Sequence, residues 1–388
     1  MLMVIWCHGL RGRLVRVPDP NGFDRFMESI AMKLWTGVDL FFVLSGFLIT
    51  GVLLDTRDSP DRVRTFYGRR ALRIFPLYLA YVSVLLLALP AAGFDLTPTV
   101  RGWTKAMYFV HLQNFDLAAR GMHTYLAGHL WSLAVEEQFY LLWPMAAFAV
   151  APRRLAWAAA GLAAVSVGFR WWAARAGFGP VFVYVHTAAR LDCLAAGALL
   201  ALAARRGGVA PAPYAAGTEG RGSGWRRWAA PAALVAGLAW IARTDMDFTR
   251  WSPAMQAGGY AVVAVTGAAA LWTCLPSALP NPLRWLTERA VLRAVGKVSY
   301  AMYVFHVPLD HIGVHWLWFT RPPGGPAPMA RVPVAGWCPL TAYCVGLTLV
   351  TYGAAWVSWH LLEKRCLALK RWFPYRLREP LVKGGAAA

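Results

Sequence analysis

Apolar segments of about 20 residues, the length of a helix that crosses a bilayer, recur along the whole 388-residue chain. The intervals between them are short, and none has the length or polarity of a soluble domain. Hydrophobic residues make up 58% of the chain and charged residues 15%. Soluble proteins have about 25% charged residues. We therefore predict an all-α, polytopic membrane protein that forms a single domain over residues 1–388.

A window of about 20 apolar residues predicts about ten transmembrane helices, the first of which is incomplete. The complete spans lie at 35–54, 74–92, 130–150, 154–174, 181–204, 229–243, 254–276, 297–318 and 339–361. Residues 1–9 form only about 13 Å of helix, less than half of the roughly 30 Å hydrocarbon thickness. We expect either a start codon called too late or a truncated chain, because the segment lacks the features of a signal peptide.

Basic residues fall in short clusters between the apolar segments. Six Arg lie from Arg57 to Arg73, five from Arg205 to Arg227, and seven Lys or Arg follow Leu361. These clusters occupy alternate intervals, so the positive-inside rule places them and both termini in the cytoplasm. The net charge of +20 then reflects cytoplasmic loops and anionic lipid, and nucleic acid is not expected as a partner. We predict a bacterial inner (plasma) membrane protein with a cytoplasmic linker at about 205–228 and a basic tail at about 362–388.

Five ionisable side chains lie in or beside predicted spans, where each costs about 2.5–3.5 kcal/mol and is a functional candidate. They are His8, Asp39, Glu136, Arg190 and Asp192. His8 ends the first apolar segment and Asp39 opens the next span, so the two could meet towards the external side. A histidine can take a proton from a hydroxyl near neutral pH, and a carboxylate would orient it. The alternative is a solvated histidine at the membrane interface.

Two pairs of charged residues point in different directions on their helices. Glu136 and Glu137 are adjacent, about 100° apart, so only one can readily face a given cavity. The alternative role is an ion pair that joins helices. Arg190 and Asp192 also diverge and should have separate partners. Glu136 is a possible partner of Arg190, because a buried charge requires compensation.

Arg70 and Arg73 are three residues apart at the start of a helix and therefore share one face. Guanidinium groups bind phosphate in bidentate fashion, so the pair could hold a phosphorylated donor such as coenzyme A. Ordinary anchoring at the cytoplasmic membrane surface is the alternative.

Other polar features favour structural roles. His306, His311 and His315 lie near one helix end with only Asp310 as a nearby carboxylate, so we predict no metal site. Residues 45–46, Ser-Gly, lack the flanking pattern of a nucleophile elbow and predict close helix packing. The six cysteines are scattered and indicate neither a disulfide framework nor a zinc site.

Six segments, taken in order, resemble the membrane-bound acyltransferase family 3. Members of this family O-acylate surface polysaccharides, lipopolysaccharide, and some antibiotics and small glycosides. The matching segments are Gly37–Thr50, Arg69–Pro76, Trp131–Tyr140, Arg190–Gly197, Gly296–His306 and Glu363–Lys364. Each is a weak signal alone, but six in the family's order cover nearly the whole chain.

The resemblance implies ten helices around a pore-like site and transfer of an acyl group across the membrane. The donor would be acyl-CoA, with acetyl-CoA the commonest, and the acceptor a hydroxyl of a carbohydrate or glycoside. His8 would be the general base on the acceptor hydroxyl or a transient acyl carrier. Arg70 and Arg73 would hold the donor, and Glu136 matches the acidic position better than Glu137.

The resemblance also includes supporting polar residues, which are Arg190, Asp192, Ser299, Tyr300 and His306. An Arg that relatives carry one helix length before the histidine would precede Met1, and we expect no fused esterase-like domain. No permanently bound cofactor is expected, and the partners would be acyl-CoA, the acceptor and membrane lipids. There are two competing hypotheses. One is a transporter or flippase that moves acyl groups or glycans, and the other is a structural component of a polysaccharide export machine. Proteins of both kinds could use intramembrane charges.

Overall fold

The computed structural model describes residues 1–10, 22–206, 226–243, 252–275, 282–317 and 337–375. Within these ranges the chain is helical and has no β-strand, which confirms the all-α prediction for this part of the protein. Most of the predicted linker, 207–225, and the end of the predicted tail, 376–388, lie outside the described residues.

Eighteen α-helices, joined by short 3₁₀ and π segments, make up the described part. They are α1 (Leu2–Leu10), α2 (Gly22–Ala31), α3 (Gly37–Asp55), α4 (Arg62–Ser83), α5 (Leu89–Ala91), α6 (Trp103–Phe109), α7 (Gln113–Arg120), α8 (Tyr125–Gly128), α9 (Trp131–Ala149), α10 (Pro152–Arg175), α11 (Pro180–Val185), α12 (Leu191–Arg206), α13 (Arg226–Arg243), α14 (Tyr260–Thr273), α15 (Pro282–Thr287), α16 (Ala290–Leu317), α17 (Trp337–Ser358) and α18 (Lys364–Ala368).

Three helical stretches in the described ranges are long and apolar enough to cross a membrane. They are Gly22–Asp55, Arg62–Ala91 and Leu340–Trp372, and Ala229–Arg243 is a shorter apolar helix. A membrane protein is therefore supported, whereas the count of about ten spans stays a prediction.

The predicted continuous span at 181–204 is wrong. After α11 ends at Val185, His186 has extended backbone (φ −73°, ψ 132°), and a 3₁₀ turn leads into α12 at Leu191. The Ala188 N–H donates to His186 Nδ1 at 3.2 Å, which caps this turn. The interruption places Arg190, fully buried, at the junction rather than inside a regular helix.

The closest helix contact joins α3 and α12 through glycines. A Cβ atom added at Gly46 would collide with the Leu194 carbonyl, and one added at Gly197 would collide with the Val43 carbonyl. Small residues of this kind let membrane helices approach backbone to backbone. The close packing predicted from the Ser-Gly pair is confirmed at Gly46.

Helix α16 packs against α1, α4 and α17 and carries an interior polar stripe. Tyr300, Tyr303, His306 and Asp310 are spaced three or four residues apart, so they share one helix face. One end of the bundle contains the start of α4 and Lys370, and we call it the basic end. The stripe runs from Tyr300, nearest that end, towards Asp310.

Candidate active site

His8 lies against His306 in the interior of the bundle. The ring centroids are 4.8 Å apart, and His306 Nε2 lies 3.3 Å from His8 Nδ1. His306 is fully buried, whereas His8 is half-buried. Position 8 is separated from position 306 by 298 residues, so no local pattern in the sequence relates the two.

The hydrogen bonds of this pair define the tautomer of each neutral ring. His306 Nδ1 lies 2.6 Å from the Tyr303 carbonyl, which can only accept, so Nδ1 carries the proton and Nε2 is an acceptor. His8 Nδ1 faces that acceptor and also the Val4 carbonyl at 3.0 Å. A proton on His8 Nδ1 satisfies both contacts, and His8 Nε2 is then the basic nitrogen.

His129 and Tyr303 extend the cluster around His306. The His129 and His306 rings are 5.2 Å apart, and the Tyr303 hydroxyl donates to the His129 carbonyl at 2.7 Å. The His129 ring lies beside the Val304 carbonyl. Pro308 has no N–H for that carbonyl, so the proline in α16 creates this polar edge. Neither His129 nor Tyr303 was predicted as a site residue from the sequence. The three-residue spacing between Tyr303 and His306 in α16 is the signal that could have indicated Tyr303.

Glu136 lies one helical turn after Ser132, whose hydroxyl is 2.5 Å from that of Tyr303. Its carboxylate accepts from Ser45 Oγ at 2.7 Å and from the Tyr140 hydroxyl at 3.1 Å. Ser45 and Tyr140 are themselves 2.6 Å apart. We call the series His8, His306, Tyr303, Ser132, Glu136, Ser45 and Tyr140 the polar column.

Arg70 joins the polar column to the basic end. Its guanidinium lies 4.0 Å from the centre of the Tyr140 ring, in cation–π geometry. Arg73, one turn further along α4, lies 6.0 Å from the Trp359 ring and interacts electrostatically with Glu363. The structure thus brings both predicted donor-binding arginines to the same end of the column.

Two predicted contacts are wrong. Arg190 forms an ion pair with Asp39 rather than with Glu136, and its guanidinium lies 4.2 Å from the Tyr260 ring. Asp39 therefore serves as the counter-ion of Arg190, and it is His306 that faces His8 Nδ1. The prediction of separate partners for Arg190 and Asp192 is confirmed, because Asp192 pairs with Arg170 at 2.8 Å.

The remaining predicted residues divide between the stripe and the surface. The Tyr300 hydroxyl donates to the Ile74 carbonyl at 2.9 Å and ties α16 to α4 beside Arg73. Ser299 donates to the Gly296 carbonyl of its own helix at 2.9 Å and does not join the polar column. Asp310, at the far end of the stripe, accepts from Tyr125 at 2.6 Å and from Tyr343 at 2.7 Å. In the described ranges no three His, Cys, Asp or Glu side chains form a metal-type group.

Comparison with known proteins decides the family. The model of the acyltransferase family 3, described as an acyltransferase domain, matches residues 1–359. The chain belongs to this family. No solved structure matches it.

Curated relatives carry O-acetyltransferase names. The peptidoglycan O-acetyltransferase OatA of Listeria monocytogenes is 28% identical over 312 residues, 74% of this chain and 46% of that protein. The putative peptidoglycan O-acetyltransferase YrhL of Bacillus subtilis is 31% identical over 295 residues, 70% of this chain and 44% of that protein. The chain thus spans about half the length of these curated relatives.

Proposed function

We propose that this acyltransferase moves an acetyl group from acetyl-CoA to a hydroxyl of a cell-surface carbohydrate, as a multi-pass protein of the bacterial inner membrane. The observation that carries the proposal is the His8–His306 pair, which makes His8 Nε2 a base inside an apolar bundle. The names of the relatives support acetyl as the acyl group and a peptidoglycan-type glycan as the acceptor. The basic end faces the cytoplasm, as the positive-inside rule predicts.

The donor is held at the basic end by Arg70 and Arg73, whose guanidinium groups match the donor's phosphates. Tyr300 lies beside α4 at Ile74, and His306 lies six residues further along α16. Six residues of helix correspond to about 9 Å. An extended pantetheine arm covers that separation, so its thioester can reach His8 while its phosphates stay at the basic end.

His8 Nε2 takes the proton of the acceptor hydroxyl as the oxygen attacks the thioester carbonyl. The tetrahedral intermediate then breaks its carbon–sulfur bond, and the leaving thiolate takes the proton back from the imidazolium. The Val4 carbonyl, 3.0 Å from His8 Nδ1, stabilises that imidazolium. Glu136 acts as a positioning residue: through Ser45 and Tyr140 it aligns α3 and α9 along the donor's path.

The test is transfer of radiolabelled acetyl from acetyl-CoA to peptidoglycan oligosaccharides by the full chain in lipid nanodiscs. We expect His8→Ala to reduce transfer by about 10²-fold or more, in the range of general-base catalysis, and to retain CoA binding. His360→Ala is the matched control, because this histidine is exposed two residues after the end of α17. Equal transfer by His8→Ala and the wild type would remove His8 from the mechanism. Binding of acetyl-CoA without any transfer by the wild type would favour a transporter.

A further inference from the structure

The chain after α17 folds back onto the start of α4. We call Lys364–Tyr375 the C-terminal segment. Arg69 Nη1 donates to the Phe373 carbonyl at 3.0 Å, and Thr65 Oγ1 donates to the Pro374 carbonyl at 3.4 Å. The Arg69 guanidinium also lies 4.6 Å from the centre of the Tyr375 ring. Backbone and ring contacts therefore fix this segment beside the predicted donor-binding arginines.

The docking position depends on Gly68. A Cβ atom added to Gly68 would overlap the ring of Phe373, so the ring occupies the space that only a glycine leaves. Arg64 flanks the same ring at 5.7 Å. An aromatic side chain seated on a glycine and flanked by an arginine is a specific contact rather than a loose tail on a basic surface.

Docking of the C-terminal segment brings a further cation, Lys370, close to three arginines of α4. Lys370 is half-buried and interacts electrostatically with Arg69, Arg70 and Arg73. The nearby carboxylates face the arginines instead: Glu363 interacts with Arg73, and the glutamates of α9 interact with Arg70. Like charges held together in a partly desolvated site destabilise one another, and a polyanion at that point would offset the repulsion.

We propose that the C-terminal segment is part of the donor site, in which Lys370 completes a four-cation pocket for the phosphates of a nucleotide-type acyl donor. This inference rests on the proposed function and adds to it. Lys370 supplies charge to the phosphates, and Phe373 acts as a positioning residue by seating the segment on Gly68. Lys370 interacts with Arg69, Arg70 and Arg73, and Phe373 packs on Gly68, so both residues act on donor binding at the basic end rather than on the acyl transfer step at His8.

The experiment measures CoA binding and acetyl transfer by the full chain in nanodiscs of neutral phosphatidylcholine. Lys370→Ala should weaken CoA binding by about five- to thirty-fold, as loss of one charge-assisted phosphate contact predicts, and should raise KM for acetyl-CoA with little change in kcat. Gly68→Ala and Phe373→Ala should do the same by displacing the segment. Arg154→Ala is the matched control: Arg154 is an exposed arginine in the first turn of α10 and lies outside both α4 and the C-terminal segment, so CoA binding should remain at the wild-type value.

Three results would overturn the inference. If Lys370→Ala binds CoA like the wild type while His8→Ala abolishes transfer, the C-terminal segment is outside the donor site and the proposed function stands. If the wild type binds no CoA, both proposals fail. If Lys370→Ala matters only in nanodiscs that contain phosphatidylglycerol, the cation pocket binds anionic lipid headgroups rather than the donor.

Discussion

At the scale of single residues, the helical bundle contains two kinds of polar group: buried charges that form ion pairs, and the histidine pair, which can exchange a proton. Asp39 and Arg190 neutralise each other, and so do Asp192 and Arg170. Breaking such a pair leaves an uncompensated charge, which costs about 3–5 kcal/mol. Loss of activity on substitution of Asp39 would therefore report on folding, not on chemistry. His8 is not part of such an ion pair with His306, because the side chain that faces its Nδ1 is the neutral imidazole of His306.

His306 should set the basicity and orientation of His8. The variant His306→Phe removes the hydrogen-bond acceptor that faces His8 Nδ1. We expect it to lower kcat by about ten- to a hundred-fold, which is part of the roughly 10²- to 10⁴-fold that a general base contributes to the rate. His306→Gln should retain more activity, since its amide oxygen can accept the same proton. The measurements are kcat and the affinity for CoA, which should be unchanged in both variants. Equal kcat values for the two variants would contradict the role of His306 as an acceptor.

The sequence predicted His8, Glu136, Arg70 and Arg73 because each combines an ionisable group with an apolar or basic context. It did not predict their partners. The contact between His8 and His306 joins positions 298 residues apart, and the pairing of Asp39 with Arg190 joins positions 151 residues apart. Such contacts depend on how helices are arranged in three dimensions, which spacing along one helix does not encode.

At the scale of elements, helices with a uniform apolar composition were predicted best. The predicted spans at 35–54 and 130–150 correspond closely to α3 and α9. The span predicted at 74–92 starts late, because α4 begins at Arg62 and its first turns are basic. The break at His186 was missed because a window of about 20 residues averages the polar residues near it, among them Thr187, Arg190 and Asp192, with the apolar residues on both sides. A hydropathy window measures composition, and it does not detect a cap.

The α3–α12 contact should tolerate no added volume. Gly46→Leu would force a side chain into the Leu194 carbonyl. Overpacking of this kind typically costs about 1–3 kcal/mol, and we expect a lower unfolding temperature in detergent by fluorescence-detected thermal unfolding. Gly161→Leu is the control, because Gly161 is exposed in α10 and a Cβ there has no neighbour within 4 Å. If the unfolding temperature fell as much for Gly161→Leu as for Gly46→Leu, the loss of stability would have a cause other than the contact between α3 and α12.

At the scale of the whole molecule, the polar column and the basic end form one axis with different chemistry at its two ends. Arg70 meets the column at Tyr140, the histidine pair lies further along, and Asp310 with its tyrosines lies beyond His306. We propose that the donor's phosphates bind at the basic end and that the acceptor reaches His8 from the other end, so donor and acceptor would enter from opposite faces.

Sealed vesicles containing the full chain should reveal this sidedness. Peptidoglycan oligosaccharides are trapped inside the vesicles and labelled acetyl-CoA is added outside. Only protein molecules whose basic end faces outwards should then transfer label. The fraction of molecules in that orientation is measured with a protease that cleaves the basic tail from outside. His8→Ala vesicles control for leakage and spontaneous transfer. We expect the rate of acetyl transfer to scale with the fraction of molecules whose basic end faces outwards. Transfer should also persist when free acceptor outside is removed, since we propose that the acetyl group crosses the membrane along the polar column. Transfer that requires donor and acceptor on the same face would place the whole reaction at one membrane surface and contradict the axis inferred from the structure.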